Sequence, residues 1–111
     1  ETAQRFHDAA LSMRKAVISG NVFAFLQADK ALDEAMAEAS DNPFAALVAA
    51  PLQTHSRRFW YRYQADSGLA AAADRHMALI KAVLDGDGDA AAAESDRLMA
   101  LLRAHAEEAA R

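Results

Sequence analysis

Apolar residues recur along this chain at helical rather than strand spacing. From Thr2 to Ser19, the residues Phe6, Ala10, Met13 and Val17 repeat along one side of a helix, and Gly20 with Asn21 supplies a stop. A second segment runs from about Val22 to Ser40, with Phe25, Leu32 and Met36 on its apolar arc and Gln27, Lys30, Glu34 and Glu38 opposite. It ends at the stretch DNP, because Pro43 cannot continue it and can open the next helix. In the third segment Phe44, Val48, Leu52, His55, Phe59 and Tyr63 form the apolar stripe, and Pro51 inside it predicts two short helices or one bent one. After the stretch ADSG, a fourth helix is expected over about Leu69 to Asp85, with Leu69, Ala72, Leu79, Ile80 and Val83 around one face and Gly86 closing it. The last runs from about Asp89 to Ala109, turning Ala91, Leu98, Leu101 and Leu102 inward and Arg97 and Arg103 outward. Short connections make successive helices antiparallel neighbours. The expected fold is all-α, an antiparallel bundle of five to six helices forming a single domain over residues 1–111.

Composition narrows this picture. Of the 111 residues, 53% are hydrophobic and 25% charged, the balance of a folded domain, and alanine dominates the apolar share, which favours closely packed helices. With no Cys, neither a disulfide framework nor a thiolate metal site can form. A formal net charge of -4 argues against nucleic-acid binding by this stretch alone, since such binding rests on neutralising phosphates. No apolar run approaches the ~20 residues of a membrane span, and no signal-peptide pattern opens the sequence. The first residue, Glu1, begins directly in a helical pattern, so the chain reads as a piece of something longer.

Three features place polar groups on apolar faces. In DKALDEAM, residues 29 to 36, Asp29 and Asp33 project one turn apart beside Phe25, Leu32 and Met36. Like charges at that spacing repel, and burial raises the cost or forces a proton onto one of them. A divalent cation such as zinc, nickel or manganese would relieve both problems; the alternative is that one Asp caps or pairs with an arginine such as Arg14, Arg58 or Arg62. Both solutions stand open. His76 lies in the middle of the fourth helix's apolar arc, where it needs a hydrogen-bond partner or a metal. In HSRRFWYRY, residues 55 to 63, Phe59 and Tyr63 fall on the core stripe and Arg57 points away, while His55, Arg58 and Arg62 sit at the stripe's edge, within reach of a carboxylate ligand.

One motif is set aside. DGDGDAAAAESD, residues 85 to 96, spaces Asp85, Asp87, Asp89 and Asp96 like a calcium loop but has Ala90 where the required glycine would stand. Gly86 as a helix C-cap, followed by Asp87 or Asp89 as an N-cap, explains the stretch better. No Ser/His/Asp arrangement, glycine-rich phosphate loop or HExxH supports an enzyme reading.

Taken in order, DKALD followed by EAMAEASDNP, then LQTHSRRFW, then HMALIKAVLDGD and an alanine-rich last helix resemble the C-terminal effector-binding domain, FCD, of GntR-type transcriptional regulators of the FadR subgroup. The resemblance covers almost the whole chain. It implies a helical bundle that binds a small carboxylate-bearing effector without turnover, often beside one divalent metal, in a cytoplasmic regulator that acts as a homodimer. Operator DNA would be contacted through an N-terminal winged helix-turn-helix, of which this sequence carries none. Of the family's metal ligands, Asp29 and His76 match; Asp33 stands where a histidine would be and Leu98 where the last histidine would be, with Glu94 and His105 nearby as partial substitutes. The side chains of the third helix expected to line the ligand pocket, from their place on or at the edge of its stripe, are Arg58, Tyr63, His55 and Arg62. Two rivals remain: a metal-dependent bundle enzyme, which paired Glu-x-x-His motifs would favour and this sequence lacks, and an interaction module with a degenerate pocket.

Overall fold

The computed structural model describes residues 2–63 and 68–110. Among them are five helices and no strand: α1 (Thr2–Ser19), α2 (Val22–Ser40), α3 (Pro43–Tyr63), α4 (Gly68–Leu84) and α5 (Gly88–Ala109). The all-α expectation holds, and the bounds of α1 and α2 are those the sequence pattern predicts. Of the stretch ADSG that precedes the fourth helix, residues 65–67 lie outside the described residues and Gly68 is already in α4. None of these helices is long and apolar enough to cross a membrane.

One turn device is used twice. At the end of α1, Gly20 adopts φ 66°, its N–H donates to the Val17 carbonyl at 3.2 Å, and the Asn21 N–H reaches the Ala16 carbonyl at 2.9 Å. That is a Schellman stop, and it needs a left-handed residue at Gly20. Asn21 then caps α2, its side-chain oxygen accepting from the Ala24 N–H at 3.0 Å. Gly86 and Asp87 repeat the arrangement between α4 and α5: Gly86 has φ 73°, its N–H bonds the Val83 carbonyl, the Asp87 N–H bonds the Ala82 carbonyl, and the Asp87 side chain accepts from the Ala90 N–H at 3.0 Å. The acidic run at residues 85 to 96 is therefore a stop and a start. Between α2 and α3 the left-handed position is Asp41, at φ 53°, and Asn42 accepts from the Ala45 N–H ahead of Pro43. Each such cap is worth about 1 kcal/mol.

The chain forms two compact units, Glu1–Tyr63 and Gln64–Arg111. In the first, α2 is the middle helix, packed on α1 and on α3. The buried residues of α1 are Phe6, Ala9, Met13 and Ala16, and those of α2 are Phe25, Ala28, Leu32 and Ala35. Both sets follow the same three-four-three spacing and alternate a large side chain with alanine, so large residues can fill the space that small ones leave as the backbones approach. Arg5 on α1 pairs with Glu38 near the far end of α2, which fixes the two as antiparallel. In the second unit α4 buries Ala72, Ala73, His76, Leu79, Ile80 and Ala82, and α5 buries Leu98. Arg75 on α4 lies 3.6 Å from Glu94 on α5, again across an antiparallel pair.

The third helix departs from expectation in two respects. It runs unbroken through Pro51, and the predicted stripe is not its buried face: Phe44, Val48 and Leu52 are well exposed, His55 is exposed, and Phe59 and Tyr63 are 38% and 46% exposed. The buried residue is Trp60, 7% exposed, whose ring lies 5.9 Å from that of Phe25 on α2. Counting back from Trp60, the less exposed positions are Arg57, Gln53, Ala49 and Ala46, a three-four spacing one residue out of phase with the predicted stripe. Nearly every turn of α3 carries an apolar side chain on more than one side, so periodicity alone cannot choose the face. The partner helix does.

Candidate functional site

Because Trp60 turns inward, Arg57 turns inward too, three residues earlier on the same face. Its guanidinium donates to the Asp33 carboxylate at 2.6 Å and lies 3.8 Å from that of Asp29. The three side chains are 14%, 22% and 17% exposed for Arg57, Asp33 and Asp29, so water screens them weakly. The pairing of the two acids is thus relieved by an arginine, and the arginine is neither Arg14, Arg58 nor Arg62 but the one that sequence reading turned outward. The signal that could have found it is the helical Ala46, Ala49, Gln53, Arg57, Trp60 spacing, which sets small residues and one large ring on a single face, as in α1 and α2.

Arg58, Arg62 and His55 are exposed. Arg62 stacks its guanidinium 5.6 Å from the centre of the Tyr63 ring, and Tyr63 in turn lies 4.8 Å from Phe59, so these three form a small aromatic and cationic cluster at the end of α3. Arg58 instead faces a groove between α2 and α3. Phe23, Leu26, Gln27 and Lys30 line it from α2, and Thr54, Arg57, Arg58 and Tyr61 from α3. The groove is open to solvent and has a volume of about 570 Å³.

In the second unit His76 is 6% exposed, and its Nδ1 lies 2.6 Å from the Ala72 carbonyl oxygen one turn earlier. A carbonyl only accepts, so Nδ1 carries the hydrogen and, in the neutral ring, Nε2 carries the lone pair. Glu94 sits between Arg75 at 3.6 Å and Arg97 at 2.9 Å. Its Oε1 is buried without a hydrogen bond. His105 is half-buried eleven positions further along α5, about 17 Å along the axis, so Glu94 and His105 cannot hold one ion together. Leu98, at the position of the family's last histidine, is a buried core residue.

On the surface of α4, Lys81 donates to Asp85 at 2.6 Å, and the hydrogen bond first, then charge attraction, holds its ammonium above the ordinary lysine pKa. This contribution is complete below the ordinary lysine pKa and is lost as the pH rises through the raised one. Fully exposed, the pair is worth little.

Among the described residues no three His, Asp or Glu side chains gather as a metal set. The two acids best suited to begin one already hold Arg57, whose fixed positive charge lies hydrogen-bonded to one of them. A divalent ion there would have to displace the guanidinium or tolerate it at contact distance. The donor set of the first unit does not fit a metal in this arrangement.

An all-helical fold with a charged cluster and an adjoining groove between neighbouring helices has the plan of a small-molecule-binding bundle. A family model described as the FCD domain matches residues 1–107, and the chain belongs to that family, the regulatory, ligand-sensing domain of GntR-type transcriptional regulators. No curated protein and no solved structure gives a significant match to the chain.

Proposed function

We propose that this domain senses a small carboxylate-bearing metabolite for a cytoplasmic regulator of the FadR subgroup, that it binds without turnover, and that it does so without a metal ion. The observation that carries the reading is the Arg57, Asp33, Asp29 cluster. Buried ion pairs are a poor source of stability compared with apolar packing, so a mostly buried charged cluster on two facing helices is better explained by a binding role. Arg57 is held with its planar donors beside a groove where an acid could meet cationic groups. Asp29 and His76 remain the positions that correspond to the family's metal ligands, and the metal-free reading rests on Arg57 being the counter-ion of Asp29. The DNA-binding arms lie in a part of the regulator outside this sequence, and the effector would act by binding two arrangements of those arms with unequal affinity.

A thermal-shift panel of mono-, di- and tricarboxylic acids on the isolated domain tests the reading. An effector at about ten times its Kd contributes about 1.4 kcal/mol and raises the melting temperature by several degrees. If no acid in a broad panel moves the transition, the sensing role for this chemistry is wrong.

A homodimer is part of the same proposal, and the first half of α3 is the surface that suits it. From Pro43 to His55 the sequence has no Asp, Glu, Lys or Arg, and Phe44, Leu47, Val48 and Leu52 are all more than 60% exposed. Two copies of such a face meet without like-charge repulsion, and a contiguous apolar patch of this kind marks an interaction surface. Light scattering should report a dimer that Leu47→Glu with Val48→Glu converts to monomer; an unchanged mass for this variant moves the interface elsewhere.

A further inference from the structure

The groove between α2 and α3 has a chemistry of its own. Its lining residues fall at positions 23, 26, 27 and 30 on α2 and 54, 57, 58 and 61 on α3, the same three-one-three spacing on two antiparallel helices, so each helix presents one continuous ridge to the groove. One end has Phe23 and Tyr61, both more than half exposed, with Leu26 beside them. The other positions bring three cations, Lys30, Arg57 and Arg58, and no lining residue is acidic. In a chain of net charge -4 that is a local reversal of sign. The three cations are not equivalent. Arg57 is engaged by Asp33, whereas Lys30 and Arg58 have no ion-pair partner among the described residues. Gln27 adds a hydrogen-bonding group between the charged and the aromatic parts, and Thr54 adds one at the end away from Tyr61.

We infer that this groove is a binding site for an amphipathic organic anion, a carboxylate or sulfonate on an aromatic or branched apolar body. Lys30 and Arg58 take the acidic group, Arg57 is held in place behind them by Asp33, and Phe23 and Tyr61 cover the body. The volume of about 570 Å³ suits a metabolite-sized ligand, which such pockets hold at roughly 300 to 1,000 Å³. A purely inorganic anion would leave the aromatic walls wet, and a neutral aromatic would leave the two cations unused. This inference names the ligand class and place for the sensing role proposed above and rests on it, but the groove can fail while that role survives.

The test uses 8-anilinonaphthalene-1-sulfonate as the probe, with fluorescence titrations on the wild-type domain, on Lys30→Gln/Arg58→Gln and on Tyr61→Ser. The far-ultraviolet spectrum of each variant checks that it folds. The double variant is expected to lose at least tenfold in affinity and Tyr61→Ser several-fold, with wild-type binding weakened by added salt. Amide shift changes on titration should concentrate in residues 23–30 and 54–61. Naphthalene-1-carboxylate should displace the probe, whereas naphthalene-1-methanol and inorganic phosphate at the same concentration should not. Equal affinity of the double variant, or shift changes centred on Phe44 to Leu52, overturns the groove assignment. If a panel acid stabilises the domain while the double variant binds that acid unchanged, the groove is overturned and the sensing role stands.

Discussion

Replacing Arg57 with methionine lowers the stability of the domain by about 2 kcal/mol and makes it respond to divalent metal. Removing one partner of a buried ion pair costs roughly 3–5 kcal/mol because the remaining charge is left desolvated, and the residual exposure of Asp29 and Asp33 reduces that figure. Methionine keeps most of the apolar stem, so the loss comes from the charge rather than from a cavity. What remains is two carboxylates one turn apart with no counter-ion from α3, an arrangement that repels itself and offers oxygen ligands to manganese or zinc. Urea unfolding with and without the chloride salts of these ions measures both effects. The variant should recover much of its lost stability with metal, while the wild type changes little. Adding Asp33→Asn to Arg57→Met should also restore part of the loss, because it removes the repulsion that the first change exposes. If the wild type is stabilised by metal as strongly as the variant, and Asp29→Asn abolishes that response, Arg57 does not stand in for the ion and the domain is a metal sensor after all.

What the sequence shows and what it hides divide along a physical line. The ends of α1 and α2 are legible because they are written in local chemistry: Gly20 for a left-handed stop, Asn21 for a cap, Pro43 for a first turn. None of these depends on what the helix packs against. The buried faces of α1 and α2 are nearly as legible, since Phe6 and Met13 stand between polar neighbours and Phe25 and Leu32 recur at helical spacing opposite Gln27, Lys30 and Glu34. The acids at positions 29 and 33 could be recognised as a pair needing a cation for the same reason. Their partner could not be recognised, because the phase of α3 is a tertiary property. With Phe44, Leu47, Val48, Leu52, Phe59, Trp60, Tyr61 and Tyr63 distributed around it, the helix has several acceptable apolar faces. The face that wins brings alanines toward α2 in its first half and the largest ring in its second. A phase error of one residue then exchanges Arg57 for Arg58, and with it the residue that neutralises the acids for one that lines the groove without an acid partner among the described residues.

Trp60 decides that phase, and its removal should be the most damaging single change in the first unit. Trp60→Ala is expected to cost about 4 kcal/mol, in the range for deleting a large buried aromatic side chain, because the side chain is almost entirely covered and leaves a cavity against Phe25. A tilted ring pair adds roughly 0.5–1.5 kcal/mol beyond area burial. Phe59→Ala and Tyr63→Ala, at the positions a simple reading of the stripe places in the core, should each cost less than about 1 kcal/mol, as changes at half-exposed positions usually do. Circular dichroism in urea is the appropriate readout, since Trp60 is the chain's single tryptophan and fluorescence vanishes with it. Trp60→Phe should retain most of the stability by keeping a ring on Phe25. The ordering carries the argument more than the absolute values. Were Phe59 and Tyr63 the inward residues, their alanine variants would be the costly ones, Arg57 would be rotated out of reach of Asp33, and both the internal counter-ion and the groove built beside it would go with it.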